Sequence, residues 1–120
     1  MMAGVDGIFD GLRVLDFTQV LAGPTATRLM VELGAEVIKV ELAPAGDIGR
    51  GLPQRRDGRS GYHVQQNRGK RSICVDVKDP RGRQLLLDLV PDVDIMIQNF
   101  GFGVIDRMGF GYDVVSAINP

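Results

Sequence analysis

The sequence predicts an α/β fold, a Rossmann-like and mostly parallel sheet with flanking helices. Three observations predict it. Residues 13–41 read as a strand, a Gly-Pro turn, an amphipathic helix and a second strand, RVLDFTQVLAGPTATRLMVELGAEVIKVE. Parallel strands require a crossover of this kind. Strand and helix then keep alternating at the spacing of right-handed crossovers. The composition supplies an aliphatic core, with 44% hydrophobic residues, 6% aromatic and no Trp in a 120-residue chain of one-domain length.

Residues 14–17 are short and apolar, the pattern of a strand buried on both faces. Residues 21–23 form a turn, and Pro24 suits the first position of a helix, where its missing N–H is no loss. Ala26, Leu29, Met30 and Leu33 recur at i, i+3, i+4 and i+7 and predict that helix's buried face. Gly34 is a left-handed stop, and residues 37–41 form the second strand. Residues 42–60 have no apolar period. Gly46, Gly49, Gly51, Pro53 and Gly58 mark a long loop there, of the kind that is functional or mobile. Residues 62–67 fit a single helical turn.

Residues 72–77 form the third strand. Asp79 caps the next helix and Pro80 opens it. That helix runs to about residue 90 with Leu85, Leu86 and Leu89 on its buried face, and Pro91 ends it. Residues 94–98 form the fourth strand, followed by the turn Asn99-Phe100-Gly101 and by short helices over 103–108 and 112–118.

The composition excludes several chemistries. One His and one Cys cannot build a Cys/His zinc site or a disulfide framework, so no metal is expected. No apolar run approaches a membrane span, and no basic-then-apolar leader is evident. A reducing, cytoplasmic compartment is the simplest expectation. Charge is uneven. Nine of the 14 Lys and Arg fall between Arg55 and Arg83 against three Asp, so that stretch carries a net +6 and the remainder −7. The asymmetry points to an anionic partner for the middle of the chain, or to a basic loop that is only solvated.

In a parallel sheet the C-terminal strand ends share one edge. The turn after Phe17, the loop after Glu41, Lys78 and Asn99 therefore belong to one side, where Lys78, Asn99, Phe100 and Arg107 are expected to share a hollow. The first turn lacks G-x-G-x-x-G and offers only Gly23-Pro24. Glu41 stands where a dinucleotide-binding fold places its ribose acid, but the absent glycine fingerprint argues against a nicotinamide cofactor. Lys78, the basic run before the third strand, and Arg81 and Arg83 in a helix's first turn suit phosphate, or else merely cover the sheet edge.

Asn99 and Phe100 offer an amide and a ring to a purine or amide-rich ligand, or else form a turn over a core Phe. Arg107 reaches the same edge or pairs with Asp106 or Asp113. A nucleic-acid partner is disfavoured, because Tyr62 alone provides stacking in the basic stretch. His63 and Cys74 have no partner pattern for nucleophilic catalysis, and Cys74 reads as a buried strand residue. Asp16 reads as a turn-capping carboxylate.

Three blocks, LRVLDFTQVLAGPTATRLMVELGAEVIKVE, NRGKRSICVDVKDPRGRQLLLDLV and NFGFGVIDRMGF, resemble in combination and order the start of family III CoA-transferases. That family includes formyl-CoA and carnitine-type CoA-transferases and α-methylacyl-CoA racemases. The resemblance spans residues 12–120 and implies a CoA-binding Rossmann-like domain. By motif, Val75 and Lys78 would lie near the CoA nucleotide, Asn99, Phe100 and Arg107 would contact CoA, and Val20, Leu21, Ala22 and Gly23 would form the loop near the thioester. Leu21 and Leu42 depart from transferases that carry Gln and Arg there, so those contacts are not carried over.

The substrates implied are an acyl-CoA and a carboxylic acid. The family's catalytic Asp, which attacks the thioester, and its second domain would lie beyond residue 120. Residues 1–120 are therefore expected to be an N-terminal part, inactive alone, of an enzyme that is a homodimer when complete, and the isolated part is expected to associate. An acyl-CoA racemase and a stand-alone nucleotide-binding module are the alternatives.

Overall fold

A four-stranded parallel sheet organises the protein, which a computed structural model describes over residues 7–120. In chain order the elements are β1 (Arg13–Asp16), α1 (Ala22–Glu32), β2 (Glu36–Leu42), a 3-10 turn (Ile48–Gly51), the hairpin strands β3 (Arg55–Arg56) and β4 (Arg59–Ser60), α2 (Gly61–Asn67), β5 (Arg71–Val75), α3 (Pro80–Leu87), a second 3-10 turn (Val90–Asp92), β6 (Ile95–Ile97), α4 (Val104–Arg107) and α5 (Tyr112–Ile118). The main sheet has the order β5-β2-β1-β6. The chain steps outward from β1 through β2 to β5, then returns to the other side of β1. The winding therefore reverses between β1 and β6, and such a reversal opens a crevice at the C-terminal strand ends.

Strand alternation sorts the side chains onto two faces. Leu15, Phe17, Val40 and Val75 pack with Leu86, Val90, Val93, Ile105 and Phe110 in the larger core. The rings of Phe17 and Phe110 meet at 5.1 Å. Val14, Ala35 and Val37 pack with Met30 and Val31 on the other face. Asp16, Lys39 and Glu41 share the parity of Val14 and Val37, so three charged side chains are buried on the face that α1 covers.

That polarity changes how α1 sits. Gly23, Pro24 and Thr27 are its buried residues, whereas Leu29 and Leu33 remain 47% and 44% exposed and Ala26 is also exposed. Of the four residues expected on its inner face, only Met30 packs inward. Two contacts fix this orientation. A Cβ on Gly23 would come within 2.3 Å of the Thr18 Cβ, and the Thr27 hydroxyl donates to Asp16 Oδ2 at 2.6 Å. A close approach and a buried hydrogen bond have outweighed the apolar period.

Two other expectations are corrected. In α3 Leu86 is fully buried and Leu89 packs partly on the core, but Leu85 faces solvent, and the helix ends at Leu87. Cys74 is exposed, because β5 is an outer strand of which only Val75 is buried. Several local signals hold. Gly34 adopts φ +109°, and Asp79 Oδ1 accepts the Arg81 amide at 2.9 Å. The α5 bounds coincide with the expected 112–118. The long 42–60 loop is more ordered than its composition predicts, holding a 3-10 turn and a hairpin turned by Asp57 and Gly58, both at positive φ.

Candidate functional site

The parallel register places the C-terminal ends of β1, β2, β5 and β6 on one rim. Lys78 follows β5 and Asn99 follows β6. These are the two outermost strands, three inter-strand steps or about 14 Å apart. Lys78 is exposed and forms no ion pair among the described residues. Arg107 is likewise exposed and pairs with neither Asp106 nor Asp113. Its guanidinium lies over Gly103, where a Cβ would come within 2.9 Å of Nη1. Phe100 is half-buried against the main core, and Phe102 beside it is fully exposed. Val75 is buried, and its carbonyl accepts the Ala43 amide at 3.0 Å.

The expectation of a common hollow is not met. A hollow of ≈ 270 Å³ is lined by Lys39, Glu41, Arg50, His63 and Lys70, and one of ≈ 310 Å³ by Met96, Gln98, Phe110 and Tyr112. Another, ≈ 470 Å³, lies near Arg13, Glu36 and Arg71 at the other end of the strands. None of these contains Lys78, Asn99, Phe100 or Arg107. The sheet order is the reason: two intervening strands hold Lys78 and Asn99 apart. The rim therefore suits an extended ligand laid across it.

The cationic middle of the sequence is largely neutralised in space. Arg68 pairs with Glu32, Lys70 with Asp16 at 3.0 Å, Arg71 with Glu36 at 2.7 Å and Arg81 with Asp79 at 2.8 Å. Three of these four acids lie more than 30 residues earlier in the chain. Lys78 and Arg107 form no ion pair among the described residues and stand at the rim, as does Arg83, whose guanidinium donates to the Val77 carbonyl at 3.4 Å.

The loop after β1 rests on a buried ionic network. Asp16 Oδ1 accepts the Thr18 amide at 2.8 Å and the Thr18 hydroxyl at 2.5 Å, which confirms its turn-capping role. Its Oδ2 receives the Thr27 hydroxyl and the Lys70 ammonium. Lys39 Nζ donates to the Thr18 carbonyl at 2.7 Å and pairs with Asp47 at 2.7 Å, both side chains being almost wholly buried. Asn99 closes the loop from β6: Oδ1 accepts the Gln19 amide and Nδ2 donates to the Gln19 carbonyl, each at 2.8 Å. The Asn99 amide is therefore engaged in holding the loop. Tyr62 Oη donates to the Val20 carbonyl at 3.0 Å.

Val20 and Leu21 are exposed, Ala22 opens α1 and Gly23 lies beneath it against Thr18. Sequence reasoning did not single out Lys39 or Asp47, and took Lys70 only as part of a basic run suited to phosphate and Tyr62 only as a lone stacking ring. The available signal was the presence of Asp16, Lys39 and Glu41 inside apolar strands, where an ionised group must find a partner.

Four ionisable groups beside this loop depart from their ordinary values. Hydrogen bonds from the Arg50 guanidinium, each 2.6 Å, hold the Glu41 carboxyl down to about 2, against the opposing effect of burial. Burial pushes the Asp47 carboxyl up, but Lys39 and the Gly49 amide more than reverse this, leaving it below its ordinary value. Burial, reinforced by Lys39, leaves Lys70 below its ordinary value in spite of the raising effect of Asp16. Burial, reinforced by Arg50, also lowers His63, so its imidazole is disposed to be neutral.

Residues 9–120 match the family model described as CoA-transferase family III. The chain belongs to CoA-transferase family III. It is 47% identical over 112 residues to proteins named formyl-CoA:oxalate CoA-transferase from Rhodopseudomonas palustris (strain BisA53) and Bradyrhizobium sp. (strain ORS 278). Those alignments cover 92% of this chain and 26% of each relative, so the chain spans about a quarter of the length of these family members. Among solved structures, a CAIB/BAIF family protein from Brucella suis superposes with a TM-score of 0.87 at 40% identity, covering 96% of this chain and 32% of that one. A hypothetical protein from Mycobacterium tuberculosis gives 0.85 at 40% identity over 95% and 31%. In family III terms, the three blocks read from the sequence become β1–α1–β2, β5–α3 and the β6–α4 turn, which together build the rim.

Proposed function

We propose that this chain binds the CoA portion of an acyl-CoA across the C-terminal rim of its sheet. In this reading it is the N-terminal part of an enzyme that transfers CoA between an acyl-CoA and a free carboxylic acid. The observation that carries it is the pair of cations on the rim, Lys78 and Arg107, flanking a crevice opened by the reversal of winding between β1 and β6. CoA bears about four negative charges at one end and a neutral, extended arm at the other, which matches cations at the rim and an apolar loop beyond it. Lys78 and Arg107 meet phosphates, Val75 and Phe100 border the nucleotide, and Asn99 fixes the turn over which the arm passes. The loop of Val20, Leu21, Ala22 and Gly23 faces the thioester.

The acidic nucleophile that opens the thioester belongs to a part of the enzyme outside these 120 residues. The complete enzyme is proposed to be a cytoplasmic homodimer without a metal. Leu21 and Leu42, apolar where some transferases carry Gln and Arg, favour an acyl-CoA racemase as the second reading.

Calorimetric titration of the chain with CoA and with NAD, side by side, tests the proposal. CoA is expected to bind weakly and NAD not at all. The double variant Lys78→Ala/Arg107→Ala should weaken CoA about tenfold, since each exposed ion pair contributes at most about 1 kcal/mol. Binding of NAD without CoA, or CoA affinity indifferent to the double variant, would overturn it.

A further inference from the structure

Val20 is a β-branched residue at φ +68°. That left-handed conformation is a genuine outlier for Val and persists only where the surroundings impose it. Here the surroundings are explicit. Across Thr18, Gln19 and Val20, five of the six backbone polar groups are held by side chains from elsewhere. Asp16 takes the Thr18 amide, Lys39 the Thr18 carbonyl, Asn99 both Gln19 groups, and Tyr62 the Val20 carbonyl, all between 2.7 and 3.0 Å. The sixth group, the Val20 amide, makes no hydrogen bond among the described residues but lies near the Asp47 carboxylate, which pairs with Lys39 at 2.7 Å. A turn that served only to connect β1 to α1 needs no such restraint, because Gly at position 20 would adopt the same backbone without strain.

We propose that the buried pair Lys39–Asp47, with Tyr62, forms a positioning device. It holds Val20 in the left-handed conformation and thereby presets the Val20–Gly23 loop to receive the acyl-thioester end of the ligand. This rests on the CoA reading above, and deepens it by assigning roles to three residues that touch no substrate. Lys39 acts from below on the Thr18 carbonyl, Asp47 anchors Lys39 and faces the Val20 amide, and Tyr62 fastens the Val20 carbonyl from α2. The elements that meet at the loop are then β1, β2, α2 and β6.

The test separates the two ends of the ligand. Acetyl-CoA and adenosine 3′,5′-bisphosphate are titrated into the wild-type chain, Lys39→Met, Tyr62→Phe and the double variant Lys39→Met/Val20→Gly. Lys39→Met should weaken acetyl-CoA roughly tenfold, the size expected when one strained left-handed residue is released. It should leave the bisphosphate unchanged. Adding Val20→Gly should restore acetyl-CoA to within about twofold, because Gly needs no clamp. A role in folding alone would show no such rescue and no split between probes. Tyr62→Phe leaves no buried charge behind, so it keeps the test open if Lys39→Met fails to fold, and it should act in the same direction.

The one-bond Cα–Hα coupling of Val20, which reports the sign of φ, should move towards the extended range in both single variants. A Val20 that keeps positive φ in both, or a glycine that rescues nothing, would overturn the proposal. A wild-type chain that binds neither probe would sink the CoA reading and the thioester role with it, and the Val20 coupling would still decide the clamp.

Discussion

Removing the Asp16 carboxylate should cost far more than removing its cationic partner. Asp16 is fully buried and receives four bonds: the Thr18 amide and hydroxyl, the Thr27 hydroxyl and the Lys70 ammonium. Asp16→Ala takes the carboxylate from all four donors, leaves the Thr27 hydroxyl only the Gly23 and Pro24 carbonyls, and strands a buried ammonium with only the Pro24 carbonyl and Asn67 Oδ1. Breaking a buried pair in this way costs about 3–5 kcal/mol, a large part of the stability of an ordinary domain. Lys70→Met is the contrasting change. Burial, reinforced by Lys39, already leaves the Lys70 pKa below its ordinary value in spite of Asp16, so the ammonium is held at a net loss, and Asp16 retains three donors without it. Its expected cost is about 1 kcal/mol or less.

Urea denaturation followed by circular dichroism measures both. With a slope of roughly 2 kcal/mol/M for a domain of this size, Asp16→Ala should move the midpoint down by about 2 M and Lys70→Met by at most about 0.5 M. Equal shifts in the two variants, or an Asp16→Ala midpoint within about 0.5 M of wild type, would refute this account of the network.

Acid sensitivity and thiol reactivity give two more checks. Glu41 titrates near 2 in the folded protein against an ordinary 4.5, so its stabilisation is complete above about pH 4.5 and drains away as the pH falls towards 2. Urea midpoints between pH 6 and pH 3 should fall less steeply for Glu41→Gln than for wild type, and parallel slopes would count against the Arg50 pairing. Cys74 is exposed on β5 and should react fully with a disulfide reagent in the native protein, at a rate little changed by urea. A thiol that reacts only after denaturation would return it to the interior.

Local signals in the sequence survive folding where chemistry and backbone agree within a few residues. Gly34 at the end of α1 and Asp79 before Pro80 each specify their element without distant help. The parallel alternation was legible for the same reason, and with it the rim. The seating of α1 was not, because Thr27 gains a hydrogen bond to buried Asp16 that no hydropathy pattern encodes, and Leu29 and Leu33 give way to it. The charge map misled for a related reason. A run of basic residues looks unmatched when counted along the chain, yet Glu32, Glu36 and Asp16 return from the first crossover to meet it. The partners in the loop network were unreadable in advance, since Asp47 and Lys70 sit in segments without periodicity and are selected only by tertiary approach.

Asn99 grips Gln19 across 80 residues of intervening chain. During synthesis β1 emerges early, and the grip waits until the last strand of the sheet has docked beside it. An assembly intermediate holding only β5, β2 and β1 would carry Lys78 but not yet Arg107, and its turn at Gln19 would be slack. Order in this turn is thereby made a late event, coupled to the docking of β6.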